Sequence, residues 1–274
     1  MNLADIPQHP QLPARLERGV LHVTLNRPEA RNAMTRDMVA AIGALFDAVR
    51  DDRTIRAIVL RGAGGHFCAG GDLKEMMASG LKPAVAGETD PVAANSRAFG
   101  AVMRKVGTAP QVVIAICEGA VLGGGFGLAC VSDIAFAKSD AKFGLPETTR
   151  GLPPAQIAPF VVERIGLTQA RRLCLTGAMF DGAEALRLGV VHDGYVDEAE
   201  LSTKLDAALA QVLNCAPAAN AMTKAIILNV ARQDMDQVLD DAAAKFAEAV
   251  RGPESAEGIG AFVQKRKPNW VEPT

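Results

Sequence analysis

The sequence predicts an α/β fold closed by a helical C-terminal region, and three observations carry that prediction. Short apolar or alternating runs, bounded by turn residues, alternate with amphipathic stretches over the first two thirds of the chain. Glycine-rich segments follow two of those runs, at 62–71 and 123–125. From about Glu198 the composition turns alanine-rich with helical periodicity. Residues 1–197 are therefore expected to form the core that holds the site, and 198–274 a helical oligomerisation region.

Taken in order, residues 1–17 are polar and proline-broken and read as a surface lead-in. Val20–Leu25 alternates, with Leu21, Val23 and Leu25 on one face, and reads as a strand whose other face carries His22. Thr35 suits the N-cap of a helix running to Val49 through Met38, Ile42, Leu45 and Phe46. Residues 56–61 form a second strand, and 79–95, without a clear period, a mobile surface connection. A helix over 96–106 leads to a strand over 111–117. Short strands are expected at 133–138 and 142–145, helical segments at 161–165, 169–175 and 183–188, and a strand or turn at 190–196. Three amphipathic helices complete the chain, around 201–212, 222–230 and 238–250.

At 274 residues the chain can bury a sizeable core as one domain with an appendage. A formal charge of −2 and few aromatic residues argue against nucleic acid and anionic membrane as partners. Cys68, Cys117, Cys130, Cys174 and Cys215 are scattered through apolar runs without a CxxC pair. They read as reduced core residues of an intracellular protein, and no spacing suggests a metal site. The N-terminus resembles neither a signal nor a transit peptide, and no apolar run reaches the length of a membrane span. The expectation is a soluble, cytoplasmic protein.

The chemistry is expected at the glycines. Gly123, Gly124 and Gly125 open a segment that continues as a helix of Phe126, Leu128, Ala129 and Cys130. Three glycines are costly in a helix, so something must approach the backbone closely there. Its first-turn N–H groups would serve a phosphate or an oxyanion, or the glycines would serve helix packing alone. The spacing matches neither a P-loop nor GxGxxG. In the second segment, 62–72, seven of eleven residues are Gly or Ala. Two donors from separate strand ends can converge on one oxygen. Glu147, after a short strand and beside Pro146, is the candidate acid or base, because desolvation there would raise its pKa. His66 is a weaker catalytic candidate in a loop, and Asp72 and Asp133 read first as caps or turn residues. Lys265, Arg266 and Lys267 form a basic end that would attract phosphate or simply face solvent.

Several ordered motifs resemble the crotonase (enoyl-CoA hydratase/isomerase) superfamily from Val20 to Trp270: LNRPEARNAM, GAGGHFCAGGDLKEM, EGAVLGGGFGLACVSDIAFA, KFGLPETTRGLPP, GLTQARRLCLTGAMFDGAEALRLGVV and AFVQKRKPNW. The resemblance implies a right-handed ββα spiral with a C-terminal trimerisation region, assembled as a trimer or a dimer of trimers. It implies an acyl-CoA thioester as substrate, coenzyme A being part of that substrate rather than a cofactor. The backbone N–H groups of Ala69 and Gly124 would form the oxyanion hole, with Glu147 catalytic. Ala69, Gly70, Gly71, Asp72 and Leu73, with Gly123 and Pro146, would line the acyl-CoA. Ala30, Arg31 and Ala33 would contact coenzyme A, and Phe262 and Lys265 its nucleotide end, often from a neighbouring subunit.

One departure matters. Relatives of the familiar hydratase type carry two glutamates, but here the first of those positions is Gly127. Keeping Glu147 alone fits a hydratase or a Δ3–Δ2 enoyl-CoA isomerase, and it leaves open a non-catalytic acyl-CoA-binding protein. The run around 144–166 most resembles the branch that hydrates branched, carboxylated substrates such as isohexenylglutaconyl-CoA. There the substrate carboxylate, oriented by Arg150 or Gln156, would help position water in the space left at Gly127.

Overall fold

In a computed structural model of the chain, which describes residues 5–80, 87 and 89–271, the first strand begins earlier than the sequence suggests. β1 (Ala14–Glu17) pairs antiparallel with β2 (Val20–Leu25) across Arg18 and Gly19, both at positive φ. The lead-in is thus partly sheet, and Ile6 and Leu12 within it are buried. From β2 onward the main sheet is parallel: β3 (Ala57–Gly62), β4 (Val112–Cys117), β6 (Ile134–Lys138) and β9 (Asp193–Tyr195) complete six strands in the order β1-β2-β3-β4-β6-β9. Parallel strands covered on both faces read as continuous apolar runs, which is why Val20 and Leu21 are both buried despite the apparent alternation.

A second, smaller layer explains the spacing of the motifs. β5 (Ala120–Leu122), β7 (Lys142–Gly144) and β8 (Met179–Asp181) form a three-stranded sheet. Isolated parallel bridges, Met34 to Gly71 and Cys68 to Val121, extend the same arrangement. Each turn of the chain supplies a long strand, a short extended piece and then a helix, which is the ββα spiral the resemblance implies. The helices of these turns are α1 (Arg36–Val49), α2 (Leu73–Gly80) with α3 (Pro91–Gly107), α4 (Gly124–Val131), α5 (Ala158–Thr176) and α6 (Gly182–Arg187). The short strands β5 and β8 escape a period-based reading because three residues hold no period.

Side-chain caps set the helix starts. Thr35 accepts the N–H of Met38, as its position in the sequence suggests, and Asp90 accepts those of Val92 and Ala93. The Asp90 cap starts α3 five residues ahead of the expected 96, so the later part of the expected connection is helix. Residues 81–86 and 88 of that connection lie outside the described residues. The two helical segments expected around 161–175 are one helix broken at Gly166, whose φ is 74°.

Two apolar cores result. The larger lies between the main sheet and the spiral helices, with Met38, Leu45, Met103, Phe126 and Val161 buried in it. The smaller lies on the sheet's other face, where Leu201 and Val212 of α7 (Glu198–Asn214) cover Val59, Ile114, Ile116 and Tyr195. The chain beyond Glu198 therefore begins by completing the core. α8 (Pro217–Asn229), α9 (Met235–Arg251) and α10 (Pro253–Val263) follow, and leave Leu239, Phe246, Val250, Ile259 and Phe262 exposed. Among the described residues no helix is long and apolar enough to cross a membrane.

Packing fixes one of the three glycines outright. A Cβ at Gly125 would lie 2.4 Å from the Cys68 carbonyl oxygen and 2.7 Å from its Cβ. Gly125→Ala should therefore destabilise the protein by about 1–3 kcal/mol, although alanine is the better helix former. Urea unfolding would measure this, and an unchanged or raised midpoint would show that the contact is not as tight as described.

Candidate active site

The strand-end loops are tied to one another through main-chain bonds, and those bonds decide which N–H groups stay free. The turn after β2 tightens over Pro28–Ala30 and leaves Arg31 and Asn32 at positive φ. Asn32 is fully buried: its side-chain oxygen accepts the Arg27 N–H at 2.8 Å, and its amide donates to the Ala63 and His66 carbonyls at 2.9 and 2.6 Å. Arg27 bridges onward to the Ala33 carbonyl and to Asp72, 3.1 Å away. Ala30, Arg31 and Ala33 are thereby held against the loop after β3. Neither Asn32 nor Arg27 was singled out from sequence, although asparagine is a residue that tolerates the left-handed conformation best.

In that loop the expected donor is the wrong one. The Ala69 N–H donates to the Arg31 carbonyl at 2.9 Å, so it locks the turn and cannot also serve an oxyanion. Gly70 N–H faces the Cys68 sulfur at 3.4 Å, and Asp72 N–H donates to the Met34 carbonyl. Among the described residues the Gly71 N–H has no such partner. Gly124, the first residue of α4, has no intrahelical acceptor for its N–H. A Cβ at Gly70 would fall 3.6 Å from the Gly124 nitrogen and 3.7 Å from the Gly123 Cα, so the two loops meet there. The pair that the geometry leaves available is Gly71 and Gly124.

Glu147 reaches the same place from the fourth turn of the spiral. It sits in a helical turn over Pro146–Arg150, directly after β7, and a Cβ at Gly123 would lie 2.5 Å from its Oε1. Its Oε2 is buried without a hydrogen-bond partner. Burial pushes this carboxyl above its ordinary range, against the opposing pull of its own amide and of Arg150. Asp72 behaves oppositely. Burial would raise it too, but the N–H groups of Glu75 and Lys74 and the Arg27 guanidinium together hold it below the ordinary carboxylate range. Asp72 caps α2, as its sequence position suggests, and is not a proton carrier.

A cavity of about 480 Å³ runs from these loops to the surface, lined by Ala30, Arg31, Ala33, Ala69, Gly71, Asp72, Leu73, Leu122 and Arg150, with Arg27, Glu29 and Lys74. Most of the residues expected to contact substrate are therefore gathered in one place. Others are not. His66 Nδ1 accepts the Ala120 N–H at 3.0 Å, a structural bond that leaves it no place beside Glu147. Gln156 lies against α3, where a Cβ at Gly100 would meet its Oε1 at 2.0 Å. Gly127 leaves no open space: a Cβ there would touch Ile157 at 3.2 Å and Met103 at 3.3 Å. The position expected to hold water is thus bordered by apolar side chains. Phe262, 84% exposed at the end of α10, and Lys265 do not line the cavity of their own chain.

Comparison with known proteins places these features in context. The profile described as enoyl-CoA hydratase/isomerase matches residues 15–273. AtuE of Pseudomonas aeruginosa has a solved structure that is 56% identical, with a TM-score of 0.91 over 96% of this chain and 100% of that one. The structure of an enoyl-CoA hydratase/isomerase from Marinobacter aquaeolei is 55% identical, with a TM-score of 0.93 over 96% and 99%. A mevalonyl-coenzyme A hydratase of Beauveria bassiana is 35% identical over 264 residues, 92% of this chain and 91% of that protein.

The buried carboxylate has a stability consequence. A carboxyl whose pKa is raised on folding contributes stability that is full below its unfolded pKa and lost as pH rises through the folded one. Glu147→Gln should therefore raise the melting temperature at neutral pH, with the gain shrinking towards pH 4. A gain that is constant across this range would show that charge burial is not its source.

Proposed function

The chain belongs to the enoyl-CoA hydratase/isomerase family, with the crotonase fold, and on that premise we propose how this hydratase works and on what. The supporting observation is the convergence of two unpaired amides, Gly71 and Gly124, with one desolvated carboxylate, Glu147, around the Gly70–Gly123 contact, with Gly71 on the wall of the adjoining cavity. A thioester carbonyl at that point would receive both N–H groups. As water adds to Cβ, negative charge grows on the thioester oxygen, and each fixed donor lowers the barrier by roughly 3–4 kcal/mol. Glu147 delivers the proton to Cα. Its second oxygen, free of other partners, accepts the proton that water loses, so the carboxylate is regenerated in each cycle.

The substrate in this reading is a branched, carboxylated enoyl-CoA such as isohexenylglutaconyl-CoA. Arg150 supports it: a cation in the same turn as Glu147, exposed on the cavity wall, is placed to meet a second carboxylate. The similarity to a mevalonyl-coenzyme A hydratase is in keeping with a branched acyl group. Phe262 and Lys265 serve the nucleotide end of coenzyme A from a neighbouring copy, and the exposed apolar residues of α9 and α10 assemble the chain as a trimer or a dimer of trimers. An isomerase that moves one proton between Cα and Cγ would use the same three groups. Product analysis separates the two.

Incubation with crotonyl-CoA, 3-hexenoyl-CoA, 3-methylglutaconyl-CoA and isohexenylglutaconyl-CoA in heavy-oxygen water should give labelled 3-hydroxyacyl-CoA, most with the carboxylated substrates. A shifted double bond without label would mean an isomerase, and no product at all would mean a binding protein. Glu147→Gln should lower kcat by about 10²–10⁴-fold while leaving acyl-CoA binding near normal. Arg150→Ala should lower kcat/KM for the carboxylated substrates by roughly tenfold, the loss of one charged hydrogen bond, and leave crotonyl-CoA unaffected. Equal effects on both would remove Arg150 from substrate selection.

A further inference from the structure

A second concavity, of about 430 Å³, lies at the opposite end of the main sheet from Glu147. Its walls come from the end of α1, the end of α3 and the segment leading into β4, and the facing sides of α8 and α9. Six cations line it: Arg50, Arg53, Arg104, Lys224, Arg232 and Lys245, with no carboxylate among the lining residues. Two of the six have acidic partners outside the walls. Lys224 pairs with Asp133 at 2.6 Å, and Arg232 lies 3.8 Å from Glu163. Arg50, Arg104 and Lys245 make no ion pair among the described residues, and Arg53 donates to the Arg50 carbonyl rather than to an acid.

Helix dipoles account for part of this arrangement only. Arg50 follows the last residue of α1 and Arg104 lies in the last turn of α3, where a cation gains about 0.3–1 kcal/mol. Lys245, in the middle of α9, has no such reason to face the same space. Apolar residues line it as well, Pro110, Met222 and Leu228 among them, together with Asn229 and Thr108. Cations and apolar side chains lining one space, within the ordinary size range for small ligands, fit an anion with a flat organic part.

We propose that this concavity binds a nucleoside polyphosphate, the phosphates between Arg50, Arg53, Arg104 and Lys245 and the base against Pro110, Met222 and Leu228. The same chemistry exists in a free nucleotide and in the nucleotide end of a second coenzyme A, and the site accepts either on these contacts. It is separate from the catalytic cavity, so it is distinguishable from it by stoichiometry.

The test is calorimetry on the full chain. Hexanoyl-CoA, a saturated thioester that cannot be hydrated, is first titrated to fill the catalytic cavity, and ADP is then added. Heat from one equivalent of ADP per chain is expected, weakening steeply with salt. Two equivalents of hexanoyl-CoA, with no further heat from ADP, would identify coenzyme A as the occupant and equally support the site. In Arg104→Glu/Lys245→Glu this second binding should weaken at least ~tenfold while crotonyl-CoA hydration is unchanged. Arg104→Gln/Lys245→Gln, with a weaker effect in the same direction, guards against misfolding of the charge reversal. A single equivalent of hexanoyl-CoA with no ADP heat, or ADP binding undiminished in both variants, would overturn the proposal.

Discussion

The structure depends on main-chain contact between successive turns of the spiral at the C-terminal ends of their strands. Met34 N–H donates to the Gly70 carbonyl, Ala69 N–H to that of Arg31, and Leu122 N–H to that of Cys68. A buried amide without an acceptor is costly, and each loop here satisfies the loop of the neighbouring turn. Side chains would hold the backbones apart. Gly125 against the Cys68 carbonyl, and Gly70 at a φ of 100° with the Leu122 carbonyl 3.2 Å from where its Cβ would stand, are the points where none fits. What this network omits becomes the site. Gly71 and Gly124 keep free N–H groups between engaged neighbours, Gly70 and Asp72 on one loop and Gly123 on the other, and the rigidity of the ties fixes where those two groups point. Such preorganisation is what an oxyanion donor requires, since no reorientation is needed as charge develops.

Glu147 is held in a setting that opposes its charge. Burial raises its pKa and one oxygen has no partner, while Asp72, on the cavity wall, is fastened by Arg27 and two amides. Two carboxylates with environments that shift them in opposite directions divide their work. Asp72 is held ionised and fastens the loop, and Glu147 is the one suited to the proton exchange proposed for it. The position where relatives of the familiar type keep a second acid is closed by Ile157 and Met103. Glycine there is a repacking of the core and not an empty seat.

The sequence revealed the alternation of elements, the cap at Thr35, the two glycine segments and the candidacy of Glu147, because each has a short-range physical signature. It also gathered Ala30, Arg31, Ala33, Asp72 and Leu73, by resemblance, beside one cavity, where the structure has them. It missed β1, β5 and β8, which are too short to show a period. It also named Ala69 where Gly71 is free, since which amide of a glycine-rich loop is engaged depends on the Arg31 carbonyl from another turn. Asn32 was passed over for a similar reason. Its role needs the left-handed backbone and two acceptors more than thirty residues away, neither of which is local information.

Charge shows most plainly where an average hides a structure. The formal charge of −2 argues against a global field that draws the chain to a polyanion. Yet the acids that balance the total are distributed elsewhere, many in surface pairs such as Glu184 with Arg187 and Glu257 with Arg266. Pairs of that kind cancel locally and project little beyond a Debye length. The cations at the ends of α1 and α3 and in the middle of α9 are not cancelled in this way. They come from parts of the sequence separated by up to about two hundred residues, so only the fold brings Arg50 and Lys245 to one concavity. Net charge bounds what a protein attracts at long range, and it leaves open what a concavity of its own surface selects at contact.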